Sequence, residues 1–505
     1  MNHQQYVLGI DVGTQSVRAA LIEPEGRTRA FGVAELTTTF PNPSWAEQDP
    51  GEWWAAIRKA VTGALASAGT DAASIVGIGL DTTACTVVAC RTDGSVLRPA
   101  LLWMDQRSAM EAADMDATAD PALRYVSGKV SPEWMLPKAL WLKRNEPENY
   151  ARADRVVECT NWLMYQLTGE WTLSLNHCAV KWNYARPDGG WPRALMASVG
   201  LDDLESKWPT EIVSLGGGTG KLAPKAAEWL GLKPGTPVAQ GGIDAYLGMI
   251  GLGATAGGDV ALIIGSSTCH LAQSRNGLFG SGWAGSYPDA TVDGLFTLEA
   301  GQTATGSILD WYRRHFAGNE QQEAQKLGIP VFSLLDQKAA QVPPGSDGVL
   351  IRDDWQGNRS PHKNPHARGA ITGLTLAHGP AQIIHAIYEA TSSGTRRILE
   401  DGMAHGLTVN RIIAGGGGVK SALWMQIQAD LLQRPITLTR EPDSCALGSA
   451  MTAAVAAGLY SNLDEAAAGM VQVERLVEPI PANKSAYDDV YGRYVDLYSR
   501  LNSPD

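Results

Sequence analysis

The sequence has few of the features that mark secreted or membrane-bound proteins. Its six cysteines form no C-x-x-C pair and no regular framework, so we expect free thiols in a reducing compartment. No stretch reaches the roughly 18 consecutive apolar residues of a membrane span. The N-terminal MNHQQY lacks the basic and apolar regions of a signal peptide. These absences predict a cytoplasmic protein with no membrane partner.

Positive charge is also scarce. The chain has 41 Lys and Arg against 53 Asp and Glu, a net charge of −12, and it has no basic stripe. This balance argues against a nucleic-acid partner. A nucleotide ligand remains compatible with it, because a few backbone amides, a lysine and a metal ion can bind phosphate locally.

A P-loop is missing as well. The segment GGGTGKL, residues 216–222, comes near the pattern G-x-x-x-x-G-K-[ST]. Leu215 stands at the first glycine position, and Leu222 replaces the hydroxyl residue that would bind Mg²⁺. We therefore expect no nucleotide at this segment.

Glycine, by contrast, is abundant, with 55 among the 505 residues. The usual fraction is about 7%, so the excess indicates many tight turns and ligand-facing loops. The length exceeds one ordinary core and predicts two domains. We place the boundary in 246–260, which gives an N-terminal domain at 1–250 and a C-terminal domain at 251–505.

Apolar strands and amphipathic helices alternate along the chain, which predicts an α/β protein. Residues 7–12 read as a strand ending at an aspartate, and a second strand returns after a loop at 13–16. The segment GGDVALIIGSSTCHLAQS, 257–274, has the same order of an apolar strand, a Gly and hydroxyl loop, and a returning strand. We interpret it as a weak internal repeat, with a ligand in the cleft between the domains.

Three short loops could bind phosphate. DVGTQS at 11–16 and GSSTC at 265–269 would let backbone N–H groups converge on an anion. GGGGVKS at 415–421 joins a strand to a helix, whose N-terminus could receive a nucleotide. One such loop alone is better explained as an ordinary turn, but the three together favour phosphate binding.

Asp244 is the sharpest single candidate. It ends an apolar strand in the sequence GGID and would face the cleft, where a carboxylate could accept a proton from a substrate hydroxyl during phosphoryl transfer. A helix N-cap is an equally good interpretation from position alone. Lys181 and Arg107 could each hold a sugar oxygen or be surface charges. His362 and His366 are four residues apart, but the prolines between and beside them argue against a helical metal site.

These segments, taken in order, resemble the FGGY family of carbohydrate kinases over roughly residues 5–460. The segments that carry the resemblance are GIDVGTQSVRAAL (9–21), NPSWAEQDPGEWW (42–54), PKALWLKRN (137–145), residues 369–389 and GGGGVKSALWMQIQADLLQRPI (415–436). The upstream fingerprint is only partly kept, since Trp134 and Met135 stand where smaller or hydroxyl residues are usual. The resemblance implies an actin-like ATPase fold, with two ribonuclease-H-like domains around a catalytic cleft.

The resemblance also implies an enzyme that transfers the γ-phosphoryl group of ATP to a sugar or polyol, with Mg²⁺. Asp244 falls at the position of the catalytic base, and Asp11 at that of a carboxylate that holds Mg²⁺ through water. The nucleotide contacts implied are Thr14, Gln15, Ser16, Gly265, Ser266 and Ser267 near the phosphates, and Gly306, Asp310, Gly416, Gly417 and Ser421 near ribose and adenine. The asparagine that some family members carry near Ser421 is absent.

The sugar is suggested by four segments that are most similar to the ribulokinase-like branch, namely residues 81–88, 178–184, 268–272 and 353–361. The substrate-binding residues implied are Thr83, Ala84, Lys181, Asp244 and Glu299. The segment TTAC, 82–85, differs from the Arg–Glu pair of glycerol kinases and from the Gln–Met–His of xylulokinases. We expect phosphorylation of a pentulose, first of all D-ribulose, to the 5-phosphate.

The alternatives are L-ribulose, xylulose or a polyol such as erythritol. A non-catalytic sugar sensor and an actin-like ATPase that polymerises are further alternatives from other classes. Family members are often dimers, so a homodimer is an alternative to the monomer.

Overall fold

Strands and helices alternate along the whole described chain, as the sequence predicts. The computed structural model describes residues 5–441 and 443–502. The β-strands, β1 to β22 in chain order, are Tyr6–Val12, Ser16–Ile22, Thr28–Glu35, Glu47–Gln48, Ile75–Thr82, Val87–Cys90, Ala100–Leu101, Arg155–Glu158, Leu173–Ser174, Ile212–Val213, Gly218–Lys221, Pro237–Ala239, Gly242–Ile243, Asp259–Ile264, Thr268–Ser274, Gly285–Pro288, Phe296–Gln302, Leu350–Arg352, Ala370–Thr372, Arg411–Gly415, Ile436–Thr439 and Val473–Val477.

The α-helices, α1 to α17 in chain order, are Pro50–Ala68, Ala109–Ala117, Met135–Asn145, Pro147–Arg152, Cys159–Thr168, Leu175–Lys181, Arg193–Ser198, Pro224–Leu230, Asp244–Gly251, Gly306–His315, Gly318–Leu327, Val331–Ala339, Pro380–Ala404, Ala422–Leu432, Ser444–Ala456, Leu463–Met470 and Lys484–Asn502. Among the described residues, none of these helices is both long and apolar enough to cross a membrane. All six cysteines are free, as predicted, and the compartment stays a prediction.

The first half of the chain builds a seven-stranded sheet in the order β11-β12-β5-β1-β2-β3, with β13 pairing to β5. β1 and β2 form the predicted antiparallel hairpin, whereas β1 and β5 run parallel. Every residue of β1 is buried. That is expected for a central strand with neighbouring strands on both sides and helices against the faces of the sheet.

The second half builds another seven-stranded sheet, in the order β16-β17-β15-β14-β20-β21-β22. Here β14 and β15 form the antiparallel hairpin, and β20 runs parallel to β14. Each sheet therefore opens with a hairpin whose first strand has a parallel partner from later in its half. The internal repeat that the sequence indicates is confirmed as a repeat of topology.

Helix α15 joins the two halves. Although it comes from the second half, it packs against β1 and β5 of the first sheet and against α9. A Cβ at Gly79 of β5 would lie 1.9 Å from the Ser449 carbonyl oxygen, and one at Gly448 would lie 1.9 Å from that of Leu247. These glycines allow the backbones to touch. Since one helix serves both halves, the division at residue 250 stays a prediction.

The amphipathic pattern of residues 137–150 predicts a helix that ends near a proline. The structure has two helices, α3 and α4, separated at Glu146, whose φ of −129° and ψ of 56° are not helical. Pro147 is the cause, because a proline disfavours the helical conformation of the residue before it and is well suited to a first helical position.

Candidate active site

Three aspartates lie together where the parallel strands of the first sheet end. Asp11 in β1 is the register partner of Asp81 in β5, and Asp81 is also the partner of Gly242 in β13, two residues before Asp244. Because parallel strands end at the same edge of a sheet, this register gathers the three carboxyl groups at the edge where ligands bind. The sequence predicts Asp11 and Asp244 here but not Asp81.

Asp244 is the first residue of α9 and one of the residues that line a cavity between the two sheets. Its Oδ1 accepts the N–H of Ala245 at 2.6 Å. Burial, and secondarily the negative charge of Asp11, raise the pKa of Asp244 to about 7. A carboxylate with this pKa is well matched to accepting a proton near neutral pH.

Asp81 is completely buried. Ser449 of α15 donates its hydroxyl to Asp81 Oδ2 at 2.5 Å, and Asp81 Oδ1 has no hydrogen-bond partner. Burial, together with the charges of Asp11 and Asp244, raises the pKa of Asp81 well above its usual range. The polar end of the apolar run 75–83 is the only sequence signal for this residue.

Asp11 is held by an arginine that sequence reasoning missed. Arg18 approaches Asp11 Oδ2 with its Nε at 3.1 Å and a terminal nitrogen at 2.5 Å, and its other terminal nitrogen lies 2.9 Å from Asp443 Oδ2. The hairpin register pairs Asp11 directly with Arg18. Pairing the two predicted strands residue by residue across the loop at 13–16 would therefore have placed Arg18 opposite Asp11.

The carboxyl oxygens of this edge fit a hydrated Mg²⁺. Across residues 5–441 and 443–502, no group of three or more His, Cys, Asp or Glu side chains is arranged as a complete metal site. Mg²⁺ bound with nucleotide needs less, since one or two carboxylates usually suffice beside phosphates and water. Asp11 and the unpartnered Oδ1 of Asp81 supply oxygens of this kind.

The first candidate phosphate loop, residues 11–16, is held by hydrogen bonds from two side chains. Trp103 donates its indole N–H to Thr14 Oγ1 at 2.9 Å, and the Gln48 amide donates to the Thr14 carbonyl at 2.7 Å. Gly13 N–H donates to the Ser16 carbonyl at 3.1 Å, and Gln15 is exposed. The loop is thus a tight turn with its tip free, as a phosphate site requires.

The second loop contacts the start of α10. The N–H of Gly306 donates to the Gly265 carbonyl at 3.1 Å, and the Ser266 carbonyl accepts the N–H of Ser307 at 3.0 Å. A Cβ at Gly306 would lie 2.4 Å from the Gly265 oxygen, so only glycine permits this approach. Residues 265–267 are exposed. The structure therefore brings together the loop and Gly306, which are far apart in sequence.

The third loop follows β20. Gly416 has a φ of 88°, a left-handed conformation that favours glycine, and Gly417 is open to solvent space. Ser421 accepts the N–H of Trp424 and so begins α14 as its N-cap. Asp310 is different, because its carboxylate is paired with arginines on its own helix, Arg313 and Arg314. Its predicted contact with the nucleoside stays a prediction.

A cavity of about 720 Å³ lies between the two sheets. Four of the predicted substrate residues line it, Ala84, Lys181, Asp244 and Glu299. Thr83 does not, and its hydroxyl shares a hydrogen bond with Thr86. The sequence missed the aromatic walls of this cavity, which are Trp103, Trp134, Tyr246 and Tyr287.

Lys181 and Glu299 form an ion pair in this cavity, with Lys181 Nζ 3.1 Å from Glu299 Oε2. Tyr246 donates its hydroxyl to the same oxygen at 2.9 Å. Burial opposes the charge of Lys181, but the Glu299 carboxylate outweighs it and raises the pKa of Lys181. Lys181 in turn holds the pKa of Glu299 below its usual range although burial opposes this. The pair presents a charged donor and a charged acceptor, which suits a polyhydroxylated ligand.

Residues 6–251 match the N-terminal domain of the FGGY family of carbohydrate kinases, and residues 260–457 match its C-terminal domain. The chain belongs to this family. The similarity that the motifs indicate is thereby confirmed, and this FGGY kinase is a sugar phosphotransferase.

Relatives of this FGGY kinase include a ribulokinase of Anoxybacillus flavithermus, which is 33% identical over 98% of this chain and 94% of that protein. A Danio rerio protein described as FGGY carbohydrate kinase domain-containing is 32% identical over 98% and 97%. The crystal structure of xylulose kinase from Rhodospirillum rubrum superposes with a TM-score of 0.86 at 28% identity, covering 98% of this chain and 99% of that one. The expected actin-like ATPase fold is confirmed.

Arg107 of this FGGY kinase is neither a sugar ligand nor a surface charge. Its side chain is fully buried, pairs with Asp105 at 2.7 Å and Glu47 at 2.8 Å, and lies 3.8 Å above the ring of Trp45. The sequence predicts only its polar and aromatic surroundings. The long-range pairing with Glu47 makes Arg107 part of the framework behind the first phosphate loop.

Two rejected motifs have ordinary structural explanations. Residues 218–221 of GGGTGKL form the strand β11, which pairs with β12. His362 stacks on Tyr498 at 3.8 Å between ring centroids, and burial lowers the pKa of His362 to about 4.

Proposed function

We propose that this FGGY kinase transfers the γ-phosphoryl group of ATP to the primary hydroxyl of D-ribulose and releases D-ribulose 5-phosphate. The observation that carries the proposal is the shared cavity of Asp244 with the Lys181–Glu299 pair, beside two loops of phosphate-binding character. A proton acceptor, a sugar-binding pair and a phosphate site are the three parts that this reaction needs.

Asp244 is the proposed base. The reacting hydroxyl would lie beside its carboxylate, which is ionised above a pKa of about 7 and takes the proton as the oxygen attacks. Lys181 would donate to a sugar oxygen, and Glu299 would accept from a neighbouring hydroxyl. Tyr246, bonded to Glu299, limits the rotation of that carboxylate. Correct positioning supplies much of the rate in a reaction with a loose transition state.

The phosphates would lie between the loop at Thr14 and the loop at Ser266, whose hydroxyl and N–H groups are neutral donors. The third loop, at Gly416, Gly417 and Ser421, would receive the nucleoside together with Gly306. Asp11 and Asp81 are the residues that would hold a hydrated Mg²⁺, which when bound neutralises charge on the β- and γ-phosphates. Arg18, paired with Asp11, is a further cation at this edge.

D-ribulose is proposed ahead of other acceptors because relatives named ribulokinase match the chain over nearly its whole length. Xylulose is the second candidate, favoured by the solved structure named xylulose kinase. L-ribulose and erythritol remain candidates from sequence resemblance alone. The wide cavity does not by itself distinguish among them.

The test is a coupled assay of ADP release with ATP and Mg²⁺ over D-ribulose, L-ribulose, D-xylulose, L-xylulose, erythritol and glycerol. We expect the highest kcat/KM with D-ribulose. A preference of tenfold or more for another sugar would replace the substrate and keep the enzyme class. Sugar binding without turnover for every member would contradict the proposal and favour a sensor. Light scattering of the same sample decides between the monomer and the homodimer.

A further inference from the structure

Trp103 stands between the sugar cavity and the first phosphate loop. Trp103 is one of the residues that line the cavity containing Asp244, and its indole N–H donates to Thr14 Oγ1 at 2.9 Å. The side chain is half-buried, which agrees with a ring that has one surface in the cavity and its nitrogen in the protein. One side chain therefore contacts both halves of the proposed reaction.

The backbone around Trp103 is fixed by the segment 44–48. The N–H of Ala46 donates to Asp105 Oδ2 at 2.6 Å, and the N–H of Gln106 donates to the Ser44 carbonyl at 2.9 Å. Gln48, from the same segment, donates to the Thr14 carbonyl and accepts the indole N–H of Trp53 at 2.8 Å. Thr14 is thus held at its side chain and at its main chain by one buried layer.

The direction of the hydrogen bond between Trp103 and Thr14 is fixed by chemistry. An indole nitrogen can only donate, so the Thr14 hydroxyl must accept with one of its lone pairs. Its own hydrogen then remains to be donated elsewhere. The phosphoryl group proposed to lie beside this loop is an acceptor without donors, so the indole orients the hydroxyl with the polarity that a phosphate needs.

We propose that Trp103 is a positioning residue that orients the Thr14 hydroxyl as a donor to the transferred phosphoryl group. Trp103 also links this orientation to the presence of a sugar in the cavity. The inference rests on the proposed function. A sugar packed against the indole restrains the ring, and the restrained N–H holds Thr14 in its donating orientation. An empty cavity leaves the ring, and with it the Thr14 donor, less well fixed.

The experiment is a double-mutant cycle between Trp103→Phe and Thr14→Val. Trp103→Phe keeps an aromatic ring and removes the N–H, so we expect kcat to fall about three- to tenfold with less than a threefold change in the KM for the sugar. Thr14→Val removes the donor itself and should cost about tenfold or more. If Trp103 acts through Thr14, the double variant is no slower than Thr14→Val alone.

Thr14→Ser is the matched control. It retains the hydroxyl, so Trp103→Phe should cost the same factor in the Ser background as in the wild type, and nothing in the Val background. Full additivity of Trp103→Phe with Thr14→Val would overturn the inference. A rise in the KM for ATP and in the KM for the sugar, with unchanged kcat, would also overturn the inference. That result, together with a lower unfolding temperature, indicates a purely structural defect.

The same cycle is measured on ATP hydrolysis without sugar. Thr14 would serve the phosphoryl group whatever the acceptor, so non-additivity should persist in hydrolysis, but it should be smaller than with sugar because the indole is less well fixed in an empty cavity. This readout needs no sugar. A failure of D-ribulose as substrate would therefore leave the link between Trp103 and Thr14 measurable, and the two failures are distinguishable.

Discussion

The hairpins that open the two sheets share a topology and differ in chemistry. In the first, the pair one step before the loop is Asp11 with Arg18, whereas in the second the corresponding pair is Ile263 with Cys269. The first sheet also ends in Asp81 and leads to Asp244. The three aspartates at this edge therefore come from the first half, whereas the loop of the second hairpin, residues 265–267, is an uncharged run of Gly and Ser. If the proposed function is correct, we expect the repeated fold to place proton and metal chemistry beside the first hairpin and uncharged phosphate donors in the second.

Removing the charge of Asp244 should have the largest effect. We expect Asp244→Asn to lose about 10²- to 10⁴-fold in kcat while keeping ATP binding, because only the proton acceptor is lost. Ser266→Ala, in the uncharged loop, should cost about ten- to a hundredfold, as one hydrogen bond to a charged phosphate contributes about 1.5–3 kcal/mol. Steady-state kinetics and calorimetry with an ATP analogue measure both. Equal losses in the two variants would remove the contrast between the sheets.

The ion pair between Lys181 and Glu299 joins the two regions, since one residue comes from each half. Lys181→Met should raise the KM for the sugar about tenfold or more, because a charged hydrogen bond contributes about 1.5–3 kcal/mol and Glu299 is left buried and unpaired. Lys363→Met is the matched control. That lysine also lines the cavity but is exposed and donates to the Ser281 carbonyl. A similar rise in both variants would argue against the pair as the sugar-binding element.

A variant of Asp11 tests whether the first hairpin contributes a ligand to Mg²⁺. Asp11→Ala should raise the Mg²⁺ concentration for half-maximal activity about tenfold, with little change in the KM for the sugar, since one oxygen ligand is lost outside the sugar contacts. Mn²⁺ binding in the presence of an ATP analogue, followed by electron paramagnetic resonance, gives a second readout. Unchanged metal dependence would assign Asp11 to the structure of the hairpin, as the partner of Arg18.

The dependence of kcat/KM on pH tests whether Asp244 is the catalytic base. Burial raises the pKa of Asp244 to about 7, so the carboxyl is protonated below that pH and ionised above it. A base must be ionised, and kcat/KM should therefore fall about tenfold per pH unit below about pH 7. Asp244→Asn should lack this acid limb. A profile that stays flat from pH 5.5 to 8 in the wild type would contradict the assignment.

Disturbing the contact between α15 and α9 should have the smallest effect on activity and a clear effect on stability. A Cβ at Gly448 would lie 1.9 Å from the Leu247 carbonyl oxygen, so we expect Gly448→Ala to lower the free energy of unfolding by about 1–3 kcal/mol or more. Gly492→Ala is the control. That glycine is also helical, with nothing within 4 Å, and alanine there should stabilise by about 0.5–1 kcal/mol. Denaturant unfolding measures both variants.

The sequence by itself determined the features that are local along the chain. The two hairpins, the three glycine loops, the family, and Asp11, Asp244, Lys181 and Glu299 as candidates all follow from short segments. Hydrophobic period, turn residues and ordered motifs carry this information because neighbours in sequence are neighbours in the strand or loop. These segments did not decide whether Asp244 was only a helix N-cap or whether Arg107 contacted a sugar.

Only the tertiary structure decided which distant residues meet. Ser449 bonds to Asp81 across 368 positions, Trp103 to Thr14 across 89, and Lys181 to Glu299 across 118. These contacts depend on how α15 packs on the first sheet and how the halves enclose the cavity. Packing of that kind results from the burial of many side chains at once, so no short segment of the chain encodes it.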